Sequence, residues 1–264
     1  SLITCSIFFL IKKKLYNENL FYFFLILIWI VIFVTGERTS FILFSLSMLA
    51  FTILATSYRK FFLITSVLGF VFIIIFSYSS ETLKKRHIDK SLSTLNLIEI
   101  SKNESVKYFI SVDHSAHLLA TYKLIKKNLV FGLGPNQYRH HTCKEDFKIY
   151  DSPESQFQKE MNLRSCTTHP HSTYPQILLE TGIIGLIFII YFLYLILKDF
   201  FHKTSLKKHK LKIPYLIILS NIVIIYLPMI PAGNFFGSYY SSINFFVIGF
   251  YFAISKLIEK ENER

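Results

Sequence analysis

Charged residues are almost absent from long stretches of this 264-residue sequence, which excludes a soluble protein of ordinary composition. Hydrophobic residues make up 52% of the chain and aromatic residues 17%, so much of the apolar side-chain area has to face lipid. Several apolar runs approach the roughly 20 residues that a helix needs to cross a bilayer core. They are Leu20–Val34, Phe41–Thr56, Phe61–Tyr78, Ile177–Leu197, Ile213–Ile230 and Ile243–Ile254. The sequence therefore predicts an all-α protein, a polytopic bundle of transmembrane helices.

The chain also lacks an initial methionine and a basic segment ahead of its first apolar run. The opening run Ser1–Ile11 is too short to span a bilayer. We therefore expect a fragment that begins inside a helix and that follows one or more helices of a longer protein.

Acidic residues are scarce, 17 against 29 lysines and arginines, which gives a net charge of +12. The distribution of this charge argues against a nucleic-acid partner. Basic residues concentrate in the segments that alternate threading assigns to one side of the membrane, which are residues 12–14, 59–60, 198–212 and 256–264. The short connections on the other side, residues 36–40 and 232–242, contain Arg38 alone. By the positive-inside rule, the lysine-rich side is cytoplasmic.

This threading divides the chain into four parts. Residues 1–78 hold transmembrane helices with an outer, Arg38-bearing hairpin at 35–40, and residues 79–175 form one long external loop. Residues 176–255 hold three more transmembrane helices, and residues 256–264 form a cytoplasmic tail. Within the loop, Leu118, Leu119, Tyr122, Ile125 and Leu129 recur at helical spacing. They predict an amphipathic helix over residues 113–128 that lies on the membrane or under a loop domain and ends at a glycine turn.

The densest group of polar residues lies between Gly132 and Gly182, where four of the nine histidines and two of the three cysteines occur. Three interpretations compete. One is a catalytic or phosphate-binding rim at the mouth of a helix. The second is a polar loop with ordinary hydrogen-bonded histidines. The third is a zinc site that uses His169, His171 and the cysteines, but the sequence has no Cys-x2-Cys pair to favour a metal.

The two cysteines in this segment are Cys143 and Cys166. On an oxidising outer face they predict a disulfide that ties the two halves of the loop together. Gly132 and Gly134 do not predict a nucleotide loop, because no strand precedes them and no third glycine follows. We interpret them as a turn.

Arg38 stands alone between two spans, beside Glu37. One interpretation is an interfacial arginine that snorkels and pairs with Glu37. The other is a phosphate ligand, since a guanidinium binds phosphoryl oxygens through two parallel hydrogen bonds.

Three sequence segments, taken in order, resemble the O-antigen ligase and O-antigen polymerase superfamily over about residues 30–200. The first is Thr35-Gly-Glu-Arg38-Thr-Ser. The second runs from His117-Leu-Leu-Ala-Thr-Tyr to Phe131-Gly-Leu-Gly-Pro-Asn-Gln-Tyr-Arg139. The third is His169-Pro-His-Ser-Thr-Tyr-Pro-Gln-Ile-Leu-Leu-Glu-Thr-Gly-Ile-Ile-Gly185.

The resemblance implies a transferase of the bacterial inner membrane whose active face is periplasmic and which needs neither a metal nor a cofactor. Its donor would be a glycan on undecaprenyl diphosphate. Ligases deliver the glycan to the lipid A core in lipopolysaccharide biosynthesis, and polymerases deliver it to another repeat unit.

The resemblance also implies roles for single residues. His171 matches the functional histidine of the family and Arg38 its diphosphate-binding arginine. Further substrate-binding candidates are Arg139, His169, His117 and Glu180. The sequence departs from the family at two places, where His114 or His117 stands for a further arginine at the start of the loop helix and Leu129 stands for a proline.

Elementary chemistry favours the same reaction. An outward-facing transferase has no nucleotide sugar at hand, so its donor arrives as a lipid diphosphate, which needs cations, and the acceptor hydroxyl needs a base. Direct displacement would invert the anomeric centre. A protein O-oligosaccharyltransferase of the same superfamily is one alternative. A non-enzymatic exporter or flippase subunit is another, but it should carry more polar residues within its spans than Asn221 and Asn244.

Overall fold

A computed structural model of the chain describes residues 18–35, 38–54, 59–85, 112–204, 212–227 and 233–262. Within these ranges all regular secondary structure is helical, which confirms the predicted all-α class. The predicted partial first span and the pairing of Arg38 with Glu37 lie outside the described residues.

The helices follow one another along the chain in ten described segments. They are α1 (Glu18–Val34), α2 (Arg38–Leu54), α3 (Arg59–Ser79), α4 (Glu81–Lys84), α5 (Val112–Ile125), α6 (Tyr138–Thr142), α7 (Gln156–Arg164), α8 (Thr173–Thr204), α9 (Lys212–Ile225) and α10 (Ser238–Asn262).

Three of these helices are long and apolar enough to cross a membrane, over Arg59–Tyr78, Thr173–His202 and Ser238–Lys260. Shorter apolar helices cover Phe23–Val34, Thr39–Ile53 and Tyr215–Ile225. Within the described residues, the apolar runs thus lie in helices, as expected because a backbone in lipid has to satisfy its hydrogen bonds within its own segment. The protein is a helical membrane protein.

The described chain divides into two compact units. The first unit comprises Ser1–Ser93, Lys208–Tyr226 and Asn244–Arg264, and the second comprises Thr94–Lys207 and Leu227–Ile243.

Aromatic packing holds the first unit together. Trp29 of α1 is 1% exposed, and its ring centroid lies 5.4 Å from Phe41, 5.1 Å from Phe44 and 5.2 Å from Phe70. A Cβ atom on Gly69 would lie 2.9 Å from the indole ring, so the glycine lets α1 and α3 approach closely. The resulting core joins α1, α2 and α3 through edge-to-face ring contacts.

The second unit forms its core between α5, α6 and α8. Ala120, Leu124, Tyr138 and Leu179 are buried together, each at most 1% exposed. Helix α7 also packs against α5. It begins with a capping box, in which Ser155 Oγ accepts from the Gln158 backbone N at 3.2 Å.

The predicted loop helix exists as α5, but the face that it buries differs from the one that the large apolar residues suggest. Apart from Leu124, the buried side chains are small or polar, and they are Ser115, Ala116, His117, Ala120 and Thr121. Tyr122 is 58% exposed and Leu129 51% exposed. The small side chains on this face let α5 pack closely against its neighbours. Tyr122 lies on the other side of the helix and stays exposed.

Candidate functional site

Four histidines gather at the N-terminal end of α8 in the second unit. His114 and His117 extend from the first turns of α5, and His169 and His171 lie just before α8 begins. The ring centroid of His171 lies 4.0 Å from that of His169, 5.1 Å from His117 and 6.4 Å from His114. The structure therefore brings together three predicted site residues, His117, His169 and His171. We call these four side chains the histidine cluster.

The backbone of His171 has an unusual conformation. Its φ angle is +55°, in the left-handed region that residues other than glycine seldom adopt. This conformation costs roughly 1–2 kcal/mol for an ordinary side chain, so the surrounding structure has to impose it. Strained residues of this kind occur preferentially at functional sites.

Burial keeps the inner histidines of the cluster uncharged. Desolvation, with a smaller contribution from the neighbouring histidines and against the opposing effect of Asp113, lowers the pKa of His171 to about 4. The pKa of His117 is also lowered to about 4, again first by burial and then by His114. Both imidazoles are therefore neutral at physiological pH, the form in which a ring nitrogen accepts a proton or a hydrogen bond.

His117 carries an unsatisfied polar atom. Its side chain is only 5% exposed, and Nδ1 has no hydrogen-bond partner within the described part of the chain. A buried polar atom without a partner is costly, and native structures seldom keep one unless a ligand or a functional need is involved. His117 thus contributes to the cluster a ring nitrogen, Nδ1, that can still form a hydrogen bond.

An ion-paired arginine lies next to the cluster. Arg164, at the end of α7, forms an ion pair with Asp113 at the start of α5, and its Nε donates to Glu160 at 3.1 Å. All three side chains are 42–55% exposed, so the pairing itself adds little stability. Sequence reasoning missed this pair, because 51 residues separate the two partners.

The helix α8 is broken at Gly182, where φ is +70° and ψ is −171°. The glycine turn after α5 satisfies the backbone groups that the break exposes. Leu133 N donates to Leu179 O at 2.8 Å, and Gly134 N donates to Glu180 O at 2.9 Å. In return, Ile183 N donates to Leu129 O at 2.9 Å.

Two glycines make this docking possible. A Cβ atom on Gly182 would lie 2.0 Å from Val130 O, and one on Gly132 would lie 2.5 Å from the carbonyl carbon of Glu180. Both glycines have positive φ angles, which other residues adopt only at a cost. The predicted turn at Gly132 and Gly134 is thus also the partner of the break in α8.

Glu180 takes part in a buried polar network at the same level. Its carboxylate accepts from the Asn136 backbone N at 2.7 Å and from Gln176 Nε2 at 3.3 Å. Gln176 Nε2 also donates to Asn234 Oδ1 at 2.6 Å, and Asn234 Nδ2 donates to Asn136 Oδ1 at 2.9 Å. Asn136 has a φ angle of +60°. The network fixes the glycine turn and the loop before α10 to the first turns of α8.

A disulfide joins Cys143 and Cys166, the pair that the sequence indicated, with their Cα atoms 4.6 Å apart. It links the end of α6 to the segment that carries His169 and His171. Arg139 lies exposed on α6. Among the described residues its guanidinium has no carboxylate partner.

Arg38 lies in the first unit, where it is the first residue of α2. His171 belongs to the second unit. In the part of the chain that the structure describes, no group of three or more His, Cys, Asp or Glu side chains is arranged to hold a metal ion.

A protein-family model described as O-antigen ligase matches residues 23–190, a range that includes Arg38, the histidine cluster and Gly182. No curated protein and no solved structure matches the chain.

Proposed function

The chain belongs to the O-antigen ligase family, and from this premise we propose that it transfers a glycan from an undecaprenyl-diphosphate carrier to the lipid A core. The family supports a membrane glycosyltransferase of the ligase or polymerase type. The choice of carrier and acceptor is our inference, since a transferase outside the cytoplasm draws its activated sugar from a lipid.

One observation carries the proposal, namely the setting of His171. Its imidazole lies at the outer end of a membrane-spanning helix, in a strained backbone conformation, beside three other histidines. Its lowered pKa keeps the ring neutral. A neutral imidazole at this height above the bilayer suits a base that orients an acceptor hydroxyl near a lipid diphosphate.

The proposed step is a direct displacement. The acceptor oxygen bonds to the anomeric carbon while the bond from this carbon to the diphosphate oxygen breaks, and its electron pair leaves with undecaprenyl diphosphate. The proton of the acceptor hydroxyl passes to His171. Because a single displacement occurs, the configuration at the anomeric carbon inverts.

Arg38 and Arg139 supply positive charge for the diphosphate in this scheme. A guanidinium can bind two phosphoryl oxygens at once, and it can neutralise the charge that develops on the leaving group. Arg139 is exposed and has no carboxylate partner among the described residues, which supports this role. With two arginines in place, the reaction needs no metal ion. His117 and His169 bind the acceptor or donor sugar, and Glu180 supports this site through its network.

The proposed location is the bacterial inner membrane, with the histidine cluster on the periplasmic side. The lysine-rich segments support this orientation, because basic residues near the ends of spans stay in the cytoplasm. An oxidising periplasm also suits the disulfide between Cys143 and Cys166.

The experiment is a transfer assay with the purified full chain, undecaprenyl-diphosphate glycan and EDTA. Lipid A core and single repeat units are supplied as separate acceptors. We expect one product on lipid A core. A ladder on repeat units would instead identify a polymerase, and the absence of product with both acceptors would contradict a sugar acceptor. Dependence of the rate on added divalent metal would contradict the metal-free step.

A further inference from the structure

The second unit exposes a short apolar segment that the proposed chemistry does not use. Leu129, Val130 and Phe131, between α5 and the glycine turn, are 51%, 50% and 78% exposed. Three consecutive exposed apolar side chains are costly in water. We call Leu129–Phe131 the apolar tip.

Backbone contacts fix the height of this tip along α8. Leu129 O accepts from Ile183 N at 2.9 Å, and the backbone of Val130 lies against Gly182. The tip therefore lies level with Gly182 and Ile183, about ten residues inside the candidate span Thr173–His202.

The charge pattern of α8 places this level inside the bilayer. Lys198 is the first basic residue at the cytoplasmic end of the apolar run. A hydrocarbon core about 30 Å thick takes about 20 helical residues at 1.5 Å each, so the core begins near Leu178. Ile183 then lies roughly 7 Å below the surface of the core.

The surroundings of the tip agree with this depth. On α8, exposed apolar side chains continue from the same level, with Ile183 39%, Ile184 40% and Ile187 58% exposed. At the end of α5, Lys126 Nζ lies 4.3 Å from the centroid of the exposed Tyr122 ring. Lys126 precedes the tip by about one helical turn. Aromatic and basic side chains of this kind are enriched at the boundary between lipid headgroups and acyl chains.

Part of the backbone at the tip and in the turn after it already has hydrogen-bond partners within the protein. Polar backbone groups in a hydrocarbon environment need partners within the protein. Leu129 O, Gly132 N, Leu133 N and Gly134 N all form hydrogen bonds, three of them with α8.

We propose that Leu129–Phe131 enters the outer half of the bilayer beside α8 and that its side chains contact lipid acyl chains. The tip follows α5 directly and binds the break in α8, so it holds both halves of the histidine cluster at a fixed height above the membrane. This inference depends on the insertion of α8 and not on the proposed reaction.

Fluorescence quenching in vesicles tests the depth of the tip. Phe131→Cys and, as a matched control, Ser152→Cys are made in a Cys5→Ser background of the full chain, and the disulfide is left oxidised. Ser152 is exposed and lies in the loop before α7. Both thiols receive an environment-sensitive fluorophore, and the protein is reconstituted in phosphatidylcholine–phosphatidylglycerol vesicles without polyprenyl carrier.

We expect the label at position 131 to emit at shorter wavelength than the label at position 152. Lipids with a nitroxide on the acyl chain should quench it more strongly, and aqueous iodide should quench it less. Equal quenching of both labels by iodide would overturn the proposal. Acyl-chain quenching that appears only after undecaprenyl diphosphate is added would also overturn it, because the tip would then be a carrier site. Val130→Cys provides a second reporter if the label at position 131 disturbs folding.

Discussion

The two units of this protein are held together by different means. In the first unit, the described core is a set of aromatic rings around Trp29, and its contacts are apolar. The second unit is held together by a disulfide, by a network of amide and carboxylate side chains, and by backbone hydrogen bonds at the break near Gly182. Positive φ angles in the described chain fall only in the second unit.

This difference indicates which unit has to hold its atoms in precise positions. Ring packing tolerates small shifts, since each atom-to-atom contact is individually weak. Hydrogen bonds and disulfides fix atoms within a few tenths of an ångström, as a catalytic group requires. Changes in the second unit should therefore affect both stability and transfer more sharply than comparable changes in the first.

The largest effect is expected from an alanine at the break in α8. Gly182→Ala places Cβ 2.0 Å from Val130 O and demands a positive φ angle, so we expect a loss of more than about 3 kcal/mol in stability. Gly249→Ala is the matched control in the first unit, because its Cβ would meet nothing within 4 Å. Thermal unfolding in detergent measures both. Equal melting temperatures would contradict the docking at Gly182.

Removal of the disulfide should have the next largest effect. Cys143→Ser opens a link between residues 23 positions apart, and the entropic model predicts a loss of about 3 kcal/mol. Residual transfer by the folded fraction should persist. Cys5→Ser is the control and should leave stability unchanged. Unchanged migration of Cys143→Ser on non-reducing gels would refute the bond.

Arg38 is the one residue of the first unit to which we assign a chemical role. Arg38→Ala should lower the rate of transfer by roughly 10- to 100-fold while the protein accumulates normally in the membrane, since a charge-assisted hydrogen bond contributes about 1.5–3 kcal/mol. Arg59→Ala is the control, because its guanidinium bonds the end of α2 instead, with Nε 3.1 Å from Thr52 O. Equal rates for the two variants would contradict diphosphate binding by Arg38 and would leave it as an arginine of the membrane interface.

The smallest effect concerns pH. The neutral form of His171 is the active one in the proposed step. Its lowered pKa of about 4 means that the ring is protonated only at low pH. On this basis kcat/KM should stay level down to about pH 5. A bound diphosphate raises the pKa of the imidazole, so kcat should fall at higher pH than kcat/KM. Loss of kcat/KM centred near pH 6.5, the ordinary histidine value, would contradict the burial of His171.

Much of the fold follows from local sequence pattern. The apolar runs predict the helices that cross or enter the membrane, because each run has to satisfy its backbone without water. Residues 113–128 predict α5 to within three residues at its end. The sequence does not show which face of α5 packs against the rest of the second unit, since the burial of Ala120 and the exposure of Tyr122 depend on the neighbours and not on helical spacing.

The site was predictable in part. The histidines and the glycine turn stand out in the sequence, and the structure gathers His117, His169 and His171. No local signal indicates the break at Gly182, because it exists only with its partner Gly132. Asn234 lies 58 residues from Gln176, and a hydrogen bond at that separation leaves no periodic trace.

The most direct test of the central claim is the transfer rate of His171→Ala against that of His140→Ala. His140 is an exposed histidine on α6 outside the cluster, so its variant controls for the loss of an imidazole. Both proteins are assayed at equal folded concentration with the glycan-loaded carrier and lipid A core. The account predicts that His171→Ala loses at least about 100-fold in rate while His140→Ala keeps the original rate. Equal rates for the two variants would contradict a catalytic role for His171.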